Sequence, residues 1–185
     1  MSFNPINTKR LMLRSLRIND ASVLFQYRSD PQVKRFQFWE PEDIVEISNF
    51  IKKMSKIRPD TPGTWFQIAV CLKENGNLIG DCGLRFPAEY DHQIEIGITI
   101  APEYQGRGYA IETLEAIFDY VFNILHKHRI FASIDPRNSA SIRLVKKIGM
   151  RKEGHFKQSI LFKGEWVDDV IYAILAEEWK KRIRQ

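Results

Sequence analysis

Between residues 93 and 100 the chain alternates strictly. Ile94, Ile96, Ile98 and Ile100 fall on one side, and Gln93, Glu95, Gly97 and Thr99 on the other. A period of two predicts a half-buried strand, ended here by Pro102. Two apolar runs before it, 65–72 and 78–85, flank Asn75-Gly76, the pairing that predicts a β-hairpin. Residues 10–16 alternate well enough for an earlier strand. Elsewhere the apolar spacing lengthens to three and four. Asn19-Asp20 offers a cap for a helix carrying Val23, Leu24 and Tyr27, with Pro31 beyond it. Ile44, Ile47, Ile51 and Met54 predict a second helix from near Pro41. A long amphipathic helix is predicted from about Arg107, with Ile111, Leu114, Phe118, Val121, Phe122 and Leu125 facing inward. Residues 129–134 read as a short strand, and 139–148 as a helix stopped by Gly149. Strands at about 156–162 and 166–175, joined by Lys163-Gly164-Glu165, precede a C-terminal helix. The order predicts a mixed α/β (α+β) fold: antiparallel strands first, then a right-handed parallel strand–helix–strand unit.

Composition narrows this picture. With 44% hydrophobic and 28% charged residues among 185, the chain can offset its conformational entropy, which excludes disorder as its main state. No repeat, linker or low-complexity tract divides it, so residues 1–185 are expected to form one domain. The longest apolar run, 171–176, is far below the roughly 20 residues of a membrane span. No apolar signal segment follows Met1, and a cytoplasmic protein is expected. Lys and Arg number 28 against 23 acidic residues, a net +5 that favours anionic ligands. The run Lys180-Lys181-Arg182-Ile183-Arg184 suits a solvated helix end, and direct nucleic-acid binding is not expected. If Asn75-Gly76 is a two-residue turn, Cys71 lies opposite Gly80 and Cys82 opposite Ala69. The thiols are then diagonal neighbours on one face, about 7–8 Å apart. A disulfide there is strained, and two reduced, buried thiols are expected. His92, His126, His128 and His155 do not fall at zinc-ligand spacings with these cysteines, so no metal is expected.

The most informative stretch runs from Glu95 to Ala110. A strand ends, a loop carries Gly106 and Gly108, and a helix opens directly. Helix starts leave N–H groups unpaired and carry partial positive charge, and glycines let an anion approach the main chain. A lysine-containing P-loop is excluded because Tyr109 follows Gly108. A dinucleotide fingerprint is excluded because its third glycine is missing.

The loop Gln105-Gly106-Arg107-Gly108-Tyr109-Ala110 resembles the acyl-CoA pyrophosphate loop of the GNAT superfamily of N-acetyltransferases. Thr8-Lys9-Arg10-Leu11-Met12-Leu13-Arg14 followed by Asp20-Ala21 resembles the opening of its RimJ/RimL-like branch. Leu78-Ile79-Gly80, Asn138-Ser139-Ala140-Ser141, Lys147-Ile148-Gly149-Met150 and Trp166-Val167-Asp168-Asp169-Val170 resemble later family segments, in order along the chain. The resemblance implies a mostly antiparallel twisted sheet of about seven strands flanked by helices. Its fourth and fifth strands, 93–100 and 129–134 here, would splay apart to admit the pantetheine arm of acetyl-CoA. It implies cofactor contacts from the main chain of Ile98, Thr99 and Ile100, from Gln105, Gly106, Arg107, Gly108, Tyr109 and Ala110, and from the Asn138 side chain. Asn138 is also a good helix cap.

The implied reaction is acetyl transfer to a primary amine, of a protein N-terminus such as a ribosomal protein's or of a small molecule, by direct attack. An amine of pKa near 10.4 is about one part in a thousand neutral at pH 7, so a base or a water relay is required. Glu95 is the candidate base, with its pKa expected to rise among apolar strands. An ion pair to Arg85 or Arg129 is its alternative role. Many family members carry a tyrosine where this chain has Val145, and Ser141 is the candidate to hydrogen-bond the departing sulfur. An oxyanion would need a main-chain N–H from the splayed strand. Phe36-Gln37-Phe38-Trp39-Glu40 reads as an acceptor platform or a packed loop. Glu40, Glu42, Asp43, Asp168 and Asp169 are available to attract a cationic acceptor. The competing readings are a non-catalytic acyl-CoA-binding regulatory module and, on charge alone, a ribosome- or RNA-associated protein. A monomer and a homodimer are equally compatible with the sequence.

Overall fold

A computed structural model describes residues 3–183; Met1, Ser2, Arg184 and Gln185, and with them part of the basic C-terminal run, lie outside the described residues. Among the described residues eight strands form one sheet in the order β1-β2-β3-β4-β5-β6-β8-β7. The strands are β1 (Ile6–Asn7), β2 (Leu11–Ser15), β3 (Thr64–Leu72), β4 (Leu78–Phe86), β5 (Gln93–Ile100), β6 (Arg129–Ile134), β7 (Arg151–Phe162) and β8 (Glu165–Leu175). All neighbours are antiparallel except β5 and β6. The eighth strand beyond the expected seven is β1, two residues that pair with Met12 and Leu13. The strands expected as fourth and fifth are therefore β5 and β6.

Among the described residues six α-helices flank the sheet: α1 (Ala21–Arg28), α2 (Pro31–Lys34), α3 (Ile44–Met54), α4 (Tyr109–Asp119), α5 (Ser139–Lys147) and α6 (Ala176–Ile183). A single tight turn, Ile18–Asp20, leads into α1, and Pro31 opens α2 instead of merely ending α1. α3 starts at Ile44 because the Asp43 side chain accepts the Glu46 N–H at 2.7 Å. Ile44 consequently sits in the first turn and is exposed, while Ile47, Ile51 and Met54 are buried. α4 begins at Tyr109, with Gly108 left-handed at its cap (φ +81°). It runs into a π-helical turn, Tyr120–Ile124.

Two apolar layers result. One face of the sheet packs Leu114, Ile117 and Phe118 of α4 against Ile68, Leu84, Ile94 and Ile96; the other packs Leu24, Ile47 and Ile51 against Ala69 and Leu78. Each large buried side chain contributes about 1.5–3 kcal/mol relative to exposure. The hairpin register departs from the two-residue-turn expectation. Cys71 faces Leu78 because Leu72 and Asn77 close the turn (Leu72 N to Asn77 O, 2.9 Å), and Cys82 faces Ile68 because Ile79 is an extra residue that bulges β4. The bulge turns the two thiols to opposite layers: Cys71 packs with Leu24 and Ile47, Cys82 with Ile68 and Leu84. Both are free and buried, and burial raises both thiol pKa values. Among the described residues no helix is long and apolar enough to cross a membrane.

Candidate active site

The loop between β5 and α4 is exposed, and its geometry is set by two left-handed glycines, Gly106 (φ +73°) and Gly108. The N–H groups of Gly106, Arg107, Gly108, Tyr109, Ala110 and Ile111 find no acceptor among the described residues. The first helical donor is Glu112, to Gly108 O at 3.2 Å. Six consecutive free amides at a helix start form a concave anion site. Arg107 is exposed beside the Tyr104 ring, and Tyr109 and Ala110 are half-buried.

One contact set holds this loop in place from about a hundred residues away. Glu112 Oε1 accepts from Thr8 Oγ1 (2.6 Å) and from Arg10 N (2.7 Å), and Oε2 accepts from Arg10 Nε (2.6 Å). Arg10 Nη1 donates to Arg107 O at 2.9 Å, and its guanidinium lies 4.5 Å from the Tyr109 ring centre. Burial works to raise the Glu112 pKa, but the bonds from Thr8 and Arg10 outweigh it and hold the carboxyl below its ordinary value. No local pattern marks this clasp, because its partners meet only after folding.

Beside the loop the sheet opens. β5 and β6 pair at only three positions, Gln93↔Arg129, Ile94↔Ile130 and Glu95↔Phe131, and then diverge. On its other side β5 stays paired with β4 up to Gly80↔Ile100. Ala101 N donates to Ile79 O at 2.9 Å. By antiparallel alternation Thr99 therefore spends its main-chain groups on Asp81, while those of Ile98 and Ile100 turn toward the opening. Of the three residues expected to offer main chain, two do. Gln105 Nε2 donates to Ile100 O at 2.8 Å, tying the loop to the strand end. Gly80 is required where β4 and β5 approach: a Cβ there would lie 2.3 Å from Thr99 O.

On the far side of the gap, Asn138 caps α5, its Oδ1 accepting Ser141 N at 3.1 Å. The cap uses one end of the amide and leaves Nδ2 without a partner among the described residues. Ser141 is half-buried, and its hydroxyl makes no hydrogen bond there either. Val145 is buried in the core, so α5 offers no phenol.

Glu95 lies across from Arg85 in the β4–β5 register and accepts from its Nη1 at 2.9 Å. Arg129 instead donates to Gln93 and Glu153. Glu95 lines a crevice of about 500 Å³ with Phe38, Trp65, Phe131, Ser133 and Asp169. Phe38 is 72% exposed and stacks edge-on with Phe162 at 5.0 Å, whereas Trp39 packs on Phe50 and donates to Glu46. The aromatic segment is thus part platform and part packed loop. Beneath it lies a polar chain that the sequence reading missed. Asp81, 1% exposed, accepts from Tyr27 Oη (2.6 Å), Arg28 and Gln67. Arg28 Nη1 donates to Gln37, whose Nε2 donates to Thr99 Oγ1 at 3.1 Å. Burial and the Asp81 charge push the Tyr27 phenol well up, and Arg28 keeps a raised pKa despite burial because Asp81 faces it. An aspartate inside the apolar run Leu78-Ile79-Gly80-Asp81-Cys82-Gly83-Leu84 was the available signal.

An acyl-CoA fits these residues: free amides for the diphosphate and an unpaired strand edge beside a gap for the amide-bearing arm. Comparison with known proteins agrees. Residues 10–151 match the family model described as an acetyltransferase (GNAT) domain. The "Uncharacterized N-acetyltransferase YnaD" of Bacillus subtilis is 37% identical over 174 residues, covering 94% of this chain and 98% of that one. The "[Ribosomal protein uS5]-alanine N-acetyltransferase" of Escherichia coli is 35% identical over 179 residues, with 94% and 92% covered. Among solved structures, a GNAT-family acetyltransferase from Bacillus anthracis superposes with a TM-score of 0.84 at 32% identity, covering 94% of this chain and 99% of that one. A Vibrio cholerae spermidine N-acetyltransferase in complex with CoA and spermine gives 0.78 at 26% identity, with the same shares covered. A sheet opened between β5 and β6, an amide-rich loop at its mouth and relatives matching along nearly the whole chain make this protein a member of the GNAT family, an acetyl-CoA-dependent N-acetyltransferase.

Proposed function

We propose that residues 1–185 act as one domain that acetylates a primary amine by direct attack, the acceptor being a protein N-terminus or a small polyamine. The observation that carries this reading is the crevice beside the gap, which joins aromatic walls to the Asp169 carboxylate and to Glu95 with its partner Arg85. Flat rings and negative charge suit an aliphatic ammonium. The relatives named for a ribosomal-protein alanine and for spermidine bracket that class, in keeping with the RimJ/RimL-like opening. When bound, acetyl-CoA supplies the activated acetyl group. The amides of Gly106 to Ala110 hold its diphosphate, Ile98 and the Ile100 N–H pair with its arm, and Asn138 Nδ2 donates to it from the opposite side. Gln105, Arg107 and Tyr109 keep the loop in shape. Glu95, one oxygen on Arg85 and the other without a partner among the described residues, receives the amine's proton directly or through water. The Ser141 hydroxyl faces the sulfur as it leaves.

The test is thiol release from acetyl-CoA with a panel of alanine-initiated peptides, spermidine and aminoglycosides, using wild type and Glu95→Gln. Turnover on a primary amine, lowered and shifted in pH dependence by Glu95→Gln, is expected. Full CoA affinity with no turnover on any amine would favour the regulatory-module reading, and an unchanged pH profile would remove Glu95 as the base.

A further inference from the structure

The acids around the acceptor crevice are not equivalent, and their partners sort them. Glu40 is paired with Lys163. Asp43 caps α3. Asp168 accepts from His155 Nε2 (2.8 Å), Lys157 Nζ (3.1 Å) and Gln158 N (3.0 Å), which hold its pKa down to about 2. Glu95 is paired with Arg85. Asp169 differs from all of these. It is 8% exposed, yet no cation lies within ion-pair distance among the described residues. Its Oδ1 accepts from Ser133 Oγ (2.9 Å) and Ile134 N (3.1 Å), both neutral donors, and its Oδ2 has no partner there. A buried carboxylate is ordinarily matched by a cation, because desolvating an uncompensated charge is unfavourable.

We propose that Asp169 Oδ2 is the group that binds the acceptor's protonated amine, with the aromatic walls of the crevice enclosing its methylenes. The missing counter-charge of Asp169 is then the substrate itself. Strand pairing and two hydrogen bonds orient the carboxylate. Asp169 sits on β8 beside Ser133 and Ile134 of β6, held by one oxygen while the other faces the crevice that also contains Phe131 and Glu95. Specificity follows. An acceptor carrying a protonated primary amine on an aliphatic stem is bound, while a neutral hydroxyl or amide of the same shape leaves the carboxylate unpaired and is rejected. This inference rests on the amine-acetylation reading above.

The experiment uses the full chain saturated with CoA, which has no acetyl group to transfer, and measures binding of spermidine and of an alanine-initiated tripeptide amide by calorimetry. Asp169→Asn preserves the shape and the Oδ1 acceptor while removing the charge. It should weaken the wild-type ligand by at least about tenfold, equivalent to 1.4 kcal/mol, with CoA affinity unchanged. Glu177→Gln, which removes an exposed carboxylate of α6 outside the crevice and leaves the Asp169 charge in place, should stay within about twofold. Asp169→Glu should recover most of the loss. If Asp169→Asn also lost CoA, Ile171→Lys would carry the test by placing a tethered ammonium in the same crevice, with the same expected loss of acceptor. Acceptor affinity unchanged in Asp169→Asn or in Ile171→Lys, or an equal loss in Glu177→Gln, overturns the assignment and leaves the amine reading standing. A wild-type complex that binds neither probe overturns both.

Discussion

Glu112→Gln tests whether the clasp between the chain's first turn and α4 positions the cofactor loop. The carboxylate accepts three hydrogen bonds of 2.6–2.7 Å from Thr8 and Arg10, and it is 15% exposed. Charge-assisted bonds of this length are about twice as strong as neutral ones. Glutamine keeps one acceptor but turns an NH₂ toward donors, so the net loss is about 2 kcal/mol. For a chain of this size that lowers Tm by about 4–8 °C. The sign of the pH dependence follows from the lowered pKa. The contribution is complete above the unfolded-state value near 4.3 and is lost as pH falls through the lower folded-state value. The gap between wild type and variant is therefore full at neutral pH and closes in acid. Scanning calorimetry across pH measures it, and CoA titration should show weaker binding as Arg10 releases Arg107 O. A variant within about 1 °C of wild type at neutral pH, or a gap that persists in acid, would refute the reasoning.

Three further outcomes are expected. Gly80→Ala drives a Cβ to 2.3 Å from Thr99 O and 3.0 Å from Ile100 Cα, contacts with backbone that cannot swing aside. It should cost about 1–3 kcal/mol in denaturant unfolding and also weaken CoA binding, because β5 moves. Gly108→Asp places a carboxylate at the free amides and a side chain at φ +81°. CoA affinity should fall at least about tenfold, more than in Gly108→Ala, which carries the backbone strain alone. Cys71 and Cys82, with thiol pKa values raised by burial, should react with a disulfide reagent at rates set by unfolding. Oxidation should form no internal bridge, since the bulge at Ile79 puts them on opposite sides of the sheet; mass spectrometry reads this directly.

Strands β3, β4 and β5 and helix α5 were legible because their signals are local: Asn75-Gly76, the alternating isoleucines, Asn138 and Gly149 sit within a few residues of what they determine. The loop was legible for the same reason, since Gly106 and Gly108 permit the conformation that frees the amides. What escaped depends on contacts distant in sequence. β1 is two residues long and is defined by its pairing with Met12 and Leu13. The bulge at Ile79 changes the partner of every residue beyond it, and alternation cannot count an unpaired residue. Glu95 was readable as a strand acid, but its pairing to Arg85 instead of Arg129 depends on how three strands align. Asp169 looked like one of five interchangeable acids, and only the packing of Ser133 and Ile134 against it sets it apart.

The narrow join between β5 and β6 has a mechanical consequence. With three residue pairs bridging the middle of an eight-stranded sheet, the two halves are like leaves joined along a short hinge. A molecule lodged in the gap and bonded to both leaves acts as a pin through that hinge. Occupancy of the gap should therefore slow amide exchange in both leaves together, as a bond to one leaf alone would not.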